Sequence, residues 1–444
     1  MIKYIGSKRE LVAVLLRIVD AFPELRTAAD VFSGTARVGH ALKSTGRLRV
    51  TANDHNRFAH TLATCYVQAD RGRWARDAER LIAELNRLPG RAGYFTETFC
   101  VRSRFFQPHN GERVDAIRSA IADKGLPPEL EAVLLTALME AADRVDSTCG
   151  LQMAYVKRWA RRSYNDLALR VPELLDRPAA GACRARALDA RELLRADRFD
   201  IAYLDPPYNQ HCYRSNYHIW ETLVRWDHPE VYGVACKRVD CRERKSDFNS
   251  KRRHATAFAE LVARLDAALP VVSFNSEGFQ GRRQMEAQLS ALGRVFVVAR
   301  DFKRYVGAQI GIHNPRGELV GEVSHLRNQE FIYLVATPEL ERRVPDAVAR
   351  LERLAAEVSS TSPAEVTRVG PTAKAARAGI RPRTRTVLDA LRARALPVAD
   401  LEAATGLSRY QIRAALGELV GRGEVEVSAA ERPKRYRLAR APGA

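Results

Sequence analysis

The tetrapeptide Asp205-Pro206-Pro207-Tyr208 carries the strongest chemical signal in the sequence. It follows an apolar run over 199–204, and ligands of open α/β sheets bind beyond the carboxyl ends of the strands. Two consecutive prolines stiffen the backbone and remove two N–H donors, so carbonyl groups and the Asp205 carboxylate remain as hydrogen-bond acceptors. Rigid acceptors beside an aromatic ring suit a planar group that bears an NH2, such as an adenine turned out of its helix. The alternative is a proline-rich turn that merely ends a strand, and the apolar run in front of it favours the binding role.

A second candidate binding segment is the turn at Phe32, Ser33 and Gly34, which follows a short apolar run. Small residues there let a ligand approach the backbone at a helix N-terminus. This pattern is typical of nucleotide-binding folds, but it is weakly specific when it stands alone. Asp54 ends the next apolar run and could accept hydrogen bonds from both hydroxyls of a ribose. The alternative role for Asp54 is a helix cap.

The third candidate is Tyr4-Ile5-Gly6-Ser7-Lys8, close to the N-terminus. Ser7 and Glu10 have the spacing of a capping box, which predicts a helix start. A capped helix N-terminus is also an anion site, so the two roles are compatible.

Apolar runs and helical spacing alternate in two parts of the chain, which predicts a doubly wound α/β domain. In the first part, the predicted order is helix, strand, helix, strand, over residues 10–22, 28–32, 36–45 and 47–53. In the second part, the predicted strands are 199–204, 269–275, 295–302 and 330–336, and a turn at 314–317 predicts a hairpin within 309–323.

The C-terminal residues return to a core pattern after a basic, apolar-poor stretch over 363–386. Helices are predicted at 384–394, 398–405 and 408–421, and a hairpin at 423–438. This order is that of a winged helix-turn-helix. Its third helix would present Arg409, Gln411 and Arg413 to a DNA groove. The alternative is a winged helix that mediates protein contacts or dimerisation.

Charge indicates the class of partner. The chain has 444 residues, with 72 Lys and Arg against 53 Asp and Glu, and a net charge of +19. Such an excess favours a polyanion such as nucleic acid. A basic run over 237–254 follows the tetrapeptide, and we predict phosphate contacts from Lys237, Arg238, Arg252 and Arg253. The alternative is a solvated charged loop.

Other compositional features exclude several classes of protein. The seven cysteines are widely spread and form no CxxC pair, so a disulfide framework and a zinc ribbon are not expected. His211, Cys212, Cys236 and Cys241 match no common zinc spacing, so free thiols are expected there. No apolar run reaches the roughly 18–20 residues of a membrane span, and the first residues lack an apolar signal core. A cytoplasmic protein is therefore expected.

Four features, in this order along the chain, resemble those of the Dam-type, α-group DNA adenine-N6 methyltransferases. They are Tyr-x-Gly-Ser-Lys at 4–8, Asp-x-Phe-Ser-Gly at 30–34, the acidic strand end at Asp54 and Asp-Pro-Pro-Tyr at 205–208. The resemblance covers about residues 1–337. It implies S-adenosylmethionine as methyl donor, double-stranded DNA as substrate and a nucleoid-associated enzyme. A restriction-modification system, with a cognate restriction endonuclease as a possible partner, is the implied setting.

The resemblance also implies roles for cofactor-binding residues. Tyr4 and Lys8 would line the pocket for S-adenosylmethionine and the target base. Phe32, Ser33 and Gly34 would form the turn beside the methionine. Asp54 would hold the ribose, and Asp189 would reach the adenine amino group of the cofactor. One departure is Ala36, where the family often has a second glycine, and its methyl group is expected to narrow the pocket slightly.

For catalysis, the resemblance implies that Asp205 and the Pro206 carbonyl accept from the target N6, with Asp205 also bordering the cofactor. Pro207 completes the rigid turn, and Tyr208 would stack on the flipped base. The organisation predicted from the sequence pattern is a catalytic domain (1–64 and 181–338), a mostly helical insertion (65–180), a segment (339–384) with a charged helix over 339–358 and a basic linker, and the winged helix-turn-helix (385–440). The resemblance assigns target recognition to the insertion.

Two alternatives remain open from the sequence. Cytosine-N4 methylation uses the same exocyclic amine chemistry, and the tetrapeptide by itself does not exclude it. A DNA-binding regulator with an inactive methylase domain is the alternative from another class. The presence of Tyr4, Lys8, Asp54 and Asp205 argues against the regulator.

Overall fold

A computed structural model describes residues 1–303 except 7, 9, 244 and 245, together with 312–313, 319–321 and 327–360. In the C-terminal part it describes 389–391, 396–405, 407, 412, 416, 419, 425–427 and 435–438. The chain divides into two compact units, Met1–Ser362 and Pro363–Ala444. Among the helices of these described residues, none has the length and apolarity required to span a membrane.

A seven-stranded sheet is the centre of the first unit. Its strands are β1 (Thr27–Asp30), β2 (Arg49–Asn53), β3 (Arg184–Arg186), β4 (Phe199–Leu204), β7 (Ala267–Asn275), β8 (Arg294–Lys303) and β11 (Arg327–Ala336). They lie in the order β3-β2-β1-β4-β7-β11-β8, and β11 runs in the direction opposite to the other six.

Helices cover both faces of this sheet. The N-terminal half contributes α1 (Val12–Asp20), α2 (Arg37–Ser44) and α3 (Arg57–Ala63). After α3, the α-helices that precede β3 are α4 (Arg71–Asn86), α5 (Tyr94–Thr96), α6 (Pro108–Asp123) and α7 (Pro128–Val145). Those after β3 are α8 (Ala190–Ala196), α9 (Tyr213–Asn216), α10 (His218–Arg225), α11 (His254–Val262), α12 (Arg282–Leu289), α13 (Pro338–Arg343) and α14 (Ala347–Ser360).

Two hydrophobic cores result, one on each face, because successive residues of a strand point to opposite sides. In β1, for example, Ala28 belongs to the core with α1 to α7, whereas Ala29 belongs to the core with α8, α11 and α12. All nine residues of β7 are buried, as expected for a strand covered on both faces. The mixed α/β fold with a mostly parallel sheet agrees with the fold class predicted from the sequence.

The inserted residues between β2 and β3 share the first core with α1 to α3. Their helices end at Val145, and residues 146–183 contain little regular structure apart from a 3-10 turn at Arg161–Tyr164. Asn86 and Asn110 hold the irregular part, because their side-chain oxygens accept from the N–H groups of Leu169 and Leu167.

The secondary structure departs from the prediction in one strand that was not predicted and one helix that was predicted wrongly. β3 was not predicted, because a three-residue strand of the sequence Arg-Ala-Arg presents no apolar run. The single helix predicted over 339–358 is two helices, α13 and α14. The chain turns between them at Val344, which is buried, and Pro345, which lacks the N–H that a continuous helix requires.

Four short strands pair outside the main sheet of the first unit. Antiparallel β5 (Val231–Tyr232) and β6 (Lys237–Arg238) lie after α10. The predicted hairpin is seen as β9 (Ile312–His313) paired with β10 (Leu319–Gly321), and its turn at 314–317 lies outside the described residues.

The second unit has a separate three-stranded antiparallel sheet in the order β12-β14-β13. Its elements are β12 (Leu396–Pro397), α15 (Val398–Thr405), β13 (Val425–Val427) and β14 (Arg435–Leu438). Their core residues include Leu391, Leu401, Ile412, Leu416 and Val425. The basic linker over 363–386 lies outside the described residues.

Candidate active site

The carboxyl ends of β1, β2 and β4 meet at the centre of the sheet, where β1 pairs with β2 on one side and β4 on the other. Asn53 ties these ends together: its side-chain amide donates to the carbonyls of Val31 and Leu188, and its side-chain oxygen accepts from the Leu188 N–H. This crossover point is where open α/β sheets bind ligands.

A cavity of about 490 Å³ opens at this point. Its volume lies within the range usual for small-molecule sites. It brings together residues that the sequence analysis selected from five separate segments of the chain. They are Tyr4, Lys8, Phe32, Ser33, Gly34, Asp54, Asp189, Asp205 and Pro207.

The turn after β1 has a left-handed backbone at two positions. Gly34 has φ +50°, and a Cβ atom there would lie 3.1 Å from the Tyr4 ring, so glycine lets the chain pass closely under this ring. Ala36 has φ +59° and is fully buried. Ala36 is not among the residues that line the cavity, so its methyl group does not narrow the cavity as expected. Its effect is on the backbone instead, because an L-residue in this conformation costs roughly 1–2 kcal/mol.

Asp54 lies just beyond β2 and supports this turn. Its Oδ2 accepts from the Gly34 N–H at 3.1 Å, and its Oδ1 accepts from the backbone and side-chain N–H groups of Asn56, both at 2.9 Å. It therefore fixes the glycine turn as well as the entry into α3.

The tetrapeptide follows β4, and its carboxylate belongs to a buried ionic network. Lys8 Nζ lies 3.1 Å from Asp205 Oδ1 and also donates to Glu330 Oε1 on β11. Ser273 donates to Asp205 Oδ1 at 3.0 Å, and Asn275 donates to Glu330 Oε2 at 3.3 Å. One lysine thus pairs with two carboxylates, which follow or belong to the strands on opposite sides of β7.

Burial and charge set the protonation of this network. Burial raises the pKa of Asp205 to about 6, although the Lys8 ammonium opposes the rise. Burial by itself would lower the pKa of Lys8, but the carboxylates of Asp205 and Glu330 raise it well above its ordinary value. Lys8 therefore stays charged, and Asp205 is ionised at neutral pH.

The tetrapeptide retains two open acceptors. Carbonyls of the following residues are occupied: Pro207 faces His254 Nε2 at 3.1 Å, Tyr208 accepts from the Phe279 N–H at 2.9 Å, and Asn209 accepts from Asn249 at 2.9 Å. In the described part of the chain, no group donates to Asp205 Oδ2 or to the Pro206 carbonyl. A bound amine could use both.

Aromatic rings border these acceptors. The half-buried Tyr208 ring contacts Phe274 edge-on at 5.6 Å, and Lys8 Nζ lies 5.9 Å from its centroid. Tyr4 stacks on Tyr213 at 5.0 Å and on Tyr217 at 4.6 Å. Tyr208 and Pro206 adjoin the cavity but do not line it.

Asp189 also lines the cavity; it is the N-cap of α8 and accepts from the Arg191 N–H at 2.9 Å. Although burial opposes it, hydrogen bonds from Arg191 hold the pKa of Asp189 below its ordinary value. Phe248 packs against Phe32 at 5.4 Å, edge to face, and is a further lining residue.

Several cavity or network residues had no role predicted from the sequence: Asp30, which appeared only as the first residue of its motif, and Tyr213, Phe248 and Glu330. Asp30 accepts from the Gly39 N–H at 2.8 Å, and burial raises its pKa to about 7. The sequence indicates a role for two of these residues only weakly: Glu330 is a single acid in an apolar strand, and Phe248 is a single aromatic residue in a basic run.

The prediction that Arg238 contacts phosphate is contradicted, because only 1% of this residue is exposed. Its guanidinium binds both carboxylate oxygens of Asp227, with Nη1 donating at 2.6 Å and Nη2 at 2.7 Å, and it also contacts Asp240. Arg238 thus fastens β6 to the chain after α10. Lys237 is half-buried, whereas Arg252 and Arg253 are exposed.

Several other sequence-based predictions concern single residues. Cys212, Cys236 and Cys241 are free thiols. Within the described residues, no group of three or more His, Cys, Asp or Glu side chains could hold a metal ion. Ser7, Arg409, Gln411 and Arg413 lie outside the described residues.

The cavity fits S-adenosylmethionine on structural grounds. Ser33 Oγ is buried and has no hydrogen-bond partner among the described residues, so a ligand can supply one. The close turn at Gly34 admits a ligand against the backbone, and Asp54 and Asp189 are polar groups suited to a ribose and an adenine amine.

Comparison with known proteins gives one family and several relatives. The model of D12 class N6 adenine-specific DNA methyltransferases matches residues 4–273. Type II methyltransferase M.NlaIII from Neisseria lactamica is 26% identical over 340 residues, covering 74% of this chain and 99% of the relative.

Two longer relatives are also similar to this chain. Modification methylase StsI from Streptococcus sanguinis is 29% identical over 62% of this chain and 44% of the relative. Type II methyltransferase M.FokI from Planomicrobium okeanokoites is 28% identical over 66% of this chain and 47% of the relative. The chain thus spans less than half of these two relatives. No solved structure gives a significant match.

Proposed function

The chain belongs to the D12 class N6 adenine-specific DNA methyltransferases, and from this membership we propose that it transfers a methyl group from S-adenosylmethionine to the N6 amine of a flipped adenine at a specific DNA site. The observation that carries the proposal is the pair of open acceptors, Asp205 Oδ2 and the Pro206 carbonyl, beside a cavity suited to the cofactor.

The two acceptors address the difficulty of the reaction. The adenine amine is a poor nucleophile because its lone pair is delocalised into the ring. Hydrogen bonds from N6 to Asp205 and Pro206 favour tetrahedral nitrogen and stabilise the positive charge that develops there. The bound cofactor supplies an activated methyl group on a sulfonium. Lys8 holds Asp205 in place, so the main contributions are positioning and electrostatics.

Roles in binding follow from position around the cavity. We assign the methionine end to the turn at Phe32, Ser33 and Gly34, with Tyr4 above it. Asp54 takes the ribose and Asp189 the adenine amino group. Phe248 adds an aromatic wall that the sequence did not predict. Tyr208 stacks on the flipped base.

Replacing Asp54 by alanine is expected to weaken S-adenosylmethionine binding by about 1.5–3 kcal/mol, the size of a hydrogen bond to a charged group. Calorimetry on the folded variant measures this change. Asp54→Asn is the control, because its oxygen can still accept from Gly34 and should lose less affinity. An unchanged dissociation constant for Asp54→Ala would reduce Asp54 to a cap of α3.

The matched family and the residues of the cavity also bear on the two alternatives, cytosine-N4 methylation and an inactive DNA-binding regulator. The matched family is adenine-specific, which favours N6 over cytosine-N4 methylation. An inactive regulator would not need Tyr4, Lys8, Asp54 and Asp205 around one cavity. Transfer of labelled methyl groups to mixed DNA, followed by base analysis, distinguishes the three. N6-methyladenine is the expected product; N4-methylcytosine or no product contradicts the proposal.

The biological setting is also a proposal. Modification methylases among the relatives support a restriction-modification system, in which a cognate endonuclease would be a partner. Such an enzyme acts in the cytoplasm at the nucleoid. Residues 65–180 are proposed to recognise the target sequence, and the exposed Arg252 and Arg253 are proposed to contact phosphates.

The second unit is proposed to be a winged helix-turn-helix that adds DNA affinity. Its three-stranded sheet and the small core around Leu401 support this assignment. A protein-interaction role is the alternative, since winged helices also serve that purpose.

Deleting residues 363–444 should leave a folded methyltransferase, because the first unit has its own cores. DNA binding should weaken and depend less on salt, since clustered arginines are lost. Turnover at saturating DNA should change less. DNA affinity at several salt concentrations, compared with the full chain, tests this; equal slopes and affinities would assign the unit to protein contacts.

A further inference from the structure

Pro207, the third residue of the tetrapeptide, is held by groups that have no assigned role. His254 Nε2 faces the Pro207 carbonyl at 3.1 Å, and Nδ1 faces the Gln280 side-chain oxygen at 2.9 Å. Both facing oxygens can only accept, so donation to the Pro207 carbonyl places a proton on Nε2, and the contact with Gln280 is a second hydrogen bond only in the imidazolium, which has a proton on each ring nitrogen. Gln280 is held in turn by Gln288, whose side chain donates to the Ala255 carbonyl.

His254 is fully buried at the start of α11 and lies among aromatic rings. Phe274 at 5.6 Å also contacts Tyr208, and Phe248 at 5.9 Å also contacts Phe32 of the cofactor turn. The imidazole therefore packs against one ring that contacts the tetrapeptide and another that contacts the cofactor turn, although it does not itself line the cavity. A histidine is costly in such an apolar place unless its ring nitrogens are used.

We propose that His254 is a positioning residue, which holds the Pro207 carbonyl and thereby keeps the Pro206 carbonyl directed at the target amine. This inference rests on the proposed function and extends it to a residue outside the tetrapeptide. The proline ring fixes φ of Pro207, so the peptide plane that carries the Pro206 carbonyl cannot turn unless Pro207 moves. A hydrogen bond to the Pro207 carbonyl therefore restricts the orientation of the Pro206 carbonyl as well.

The test compares His254→Phe, which keeps a ring but has no donor, with His254→Gln, whose side-chain amide can reach the Pro207 carbonyl. We expect His254→Phe to lower single-turnover kcat about 10- to 100-fold, since small misplacements of reacting groups cost this much. The dissociation constant of S-adenosylmethionine should stay within about twofold. His254→Gln should recover part of kcat. A DNA duplex with 2-aminopurine at the target position should still give the fluorescence rise of a flipped base.

His40 offers a matched control. It is also buried, and its Nε2 lies 3.1 Å from a backbone carbonyl, that of Glu173. His40→Phe makes the same chemical change away from the tetrapeptide and should leave kcat unchanged. Thermal unfolding of all three variants shows how much of any loss is structural.

The outcomes separate the possible failures. Wild-type protein that forms no N6-methyladenine refutes the proposed function itself. Active wild type together with a His254→Phe kcat within about twofold overturns the positioning role. The role is also overturned if the phenylalanine and glutamine variants lose kcat equally and in step with stability. If His254→Phe does not fold, His254→Asn replaces it: asparagine is too short to reach Pro207, so kcat equal to that of His254→Gln overturns the inference.

Discussion

Asp205→Ala is expected to lower kcat for methyl transfer at least about 10²- to 10³-fold, the loss typical when one group that stabilises transition-state charge is removed. The charge on N6 develops only as the methyl group arrives, so the missing acceptor matters for chemistry more than for binding. The protein should remain folded, because Lys8 keeps Glu330 as its partner and no buried cation is left unpaired.

Single-turnover methylation of saturating DNA measures this effect, and calorimetry with S-adenosylmethionine provides the comparison. The cofactor dissociation constant should change little. Asp205→Asn keeps a neutral oxygen at the same place and should retain more activity than alanine. Turnover of Asp205→Ala within tenfold of wild type would falsify the assignment of Asp205 as the charge-stabilising acceptor.

Much of the site could be predicted from the sequence because its signals are local. The Asp-Pro-Pro-Tyr turn follows an apolar strand, and the small-residue turn at Ser33 and Gly34 follows another. Parallel strands end at the same edge of a sheet, so these turns meet once the sheet forms. The family resemblance is confirmed by the match over residues 4–273. The individual residue roles remain predictions.

Other features could not be predicted, because they depend on tertiary pairing. Glu330 reaches Lys8 across 322 residues, and a single acid in a strand does not specify its partner. His254 and Phe248 belong to a run that is dominated by basic residues, so their burial is not visible in the pattern. Arg238 was misassigned although its partners, Asp227 and Asp240, are near it in the sequence, because a run dominated by basic residues does not show which of them is buried in an ion pair.

Lys8→Met is expected to destabilise the folded protein by about 3–5 kcal/mol, because removing one partner leaves buried charge uncompensated. Methionine fills similar space, so the loss is mainly electrostatic. Glu330 and Asp205 would then face each other with side chains only 7% and 20% exposed. Urea unfolding at neutral pH measures the change. A loss below about 1 kcal/mol would show that the lysine charge is not what holds these carboxylates.

The double variant Lys8→Met/Glu330→Gln controls for this explanation. It removes one charge of each sign and leaves Asp205 as the remaining carboxylate of the trio. Most of the lost stability should return. If it does not, the effect of Lys8 comes from packing rather than from charge.

The same substitution should shift the dependence of activity on pH. Transfer needs the Asp205 carboxylate, whose pKa is about 6 in the folded protein, so wild-type kcat should fall as the pH drops through 6. The Lys8 ammonium lowers that pKa, so in Lys8→Met the loss of activity should begin at a higher pH.

Folding stability depends on pH through Asp205 in the opposite direction to activity. The folded state holds the Asp205 proton more tightly than the unfolded chain, so acidification from pH 6 towards 4 adds stability through this group. Lys8→Met should therefore lose activity and recover stability over the same acidic range, and parallel changes in both would contradict the proposed link between Lys8 and Asp205.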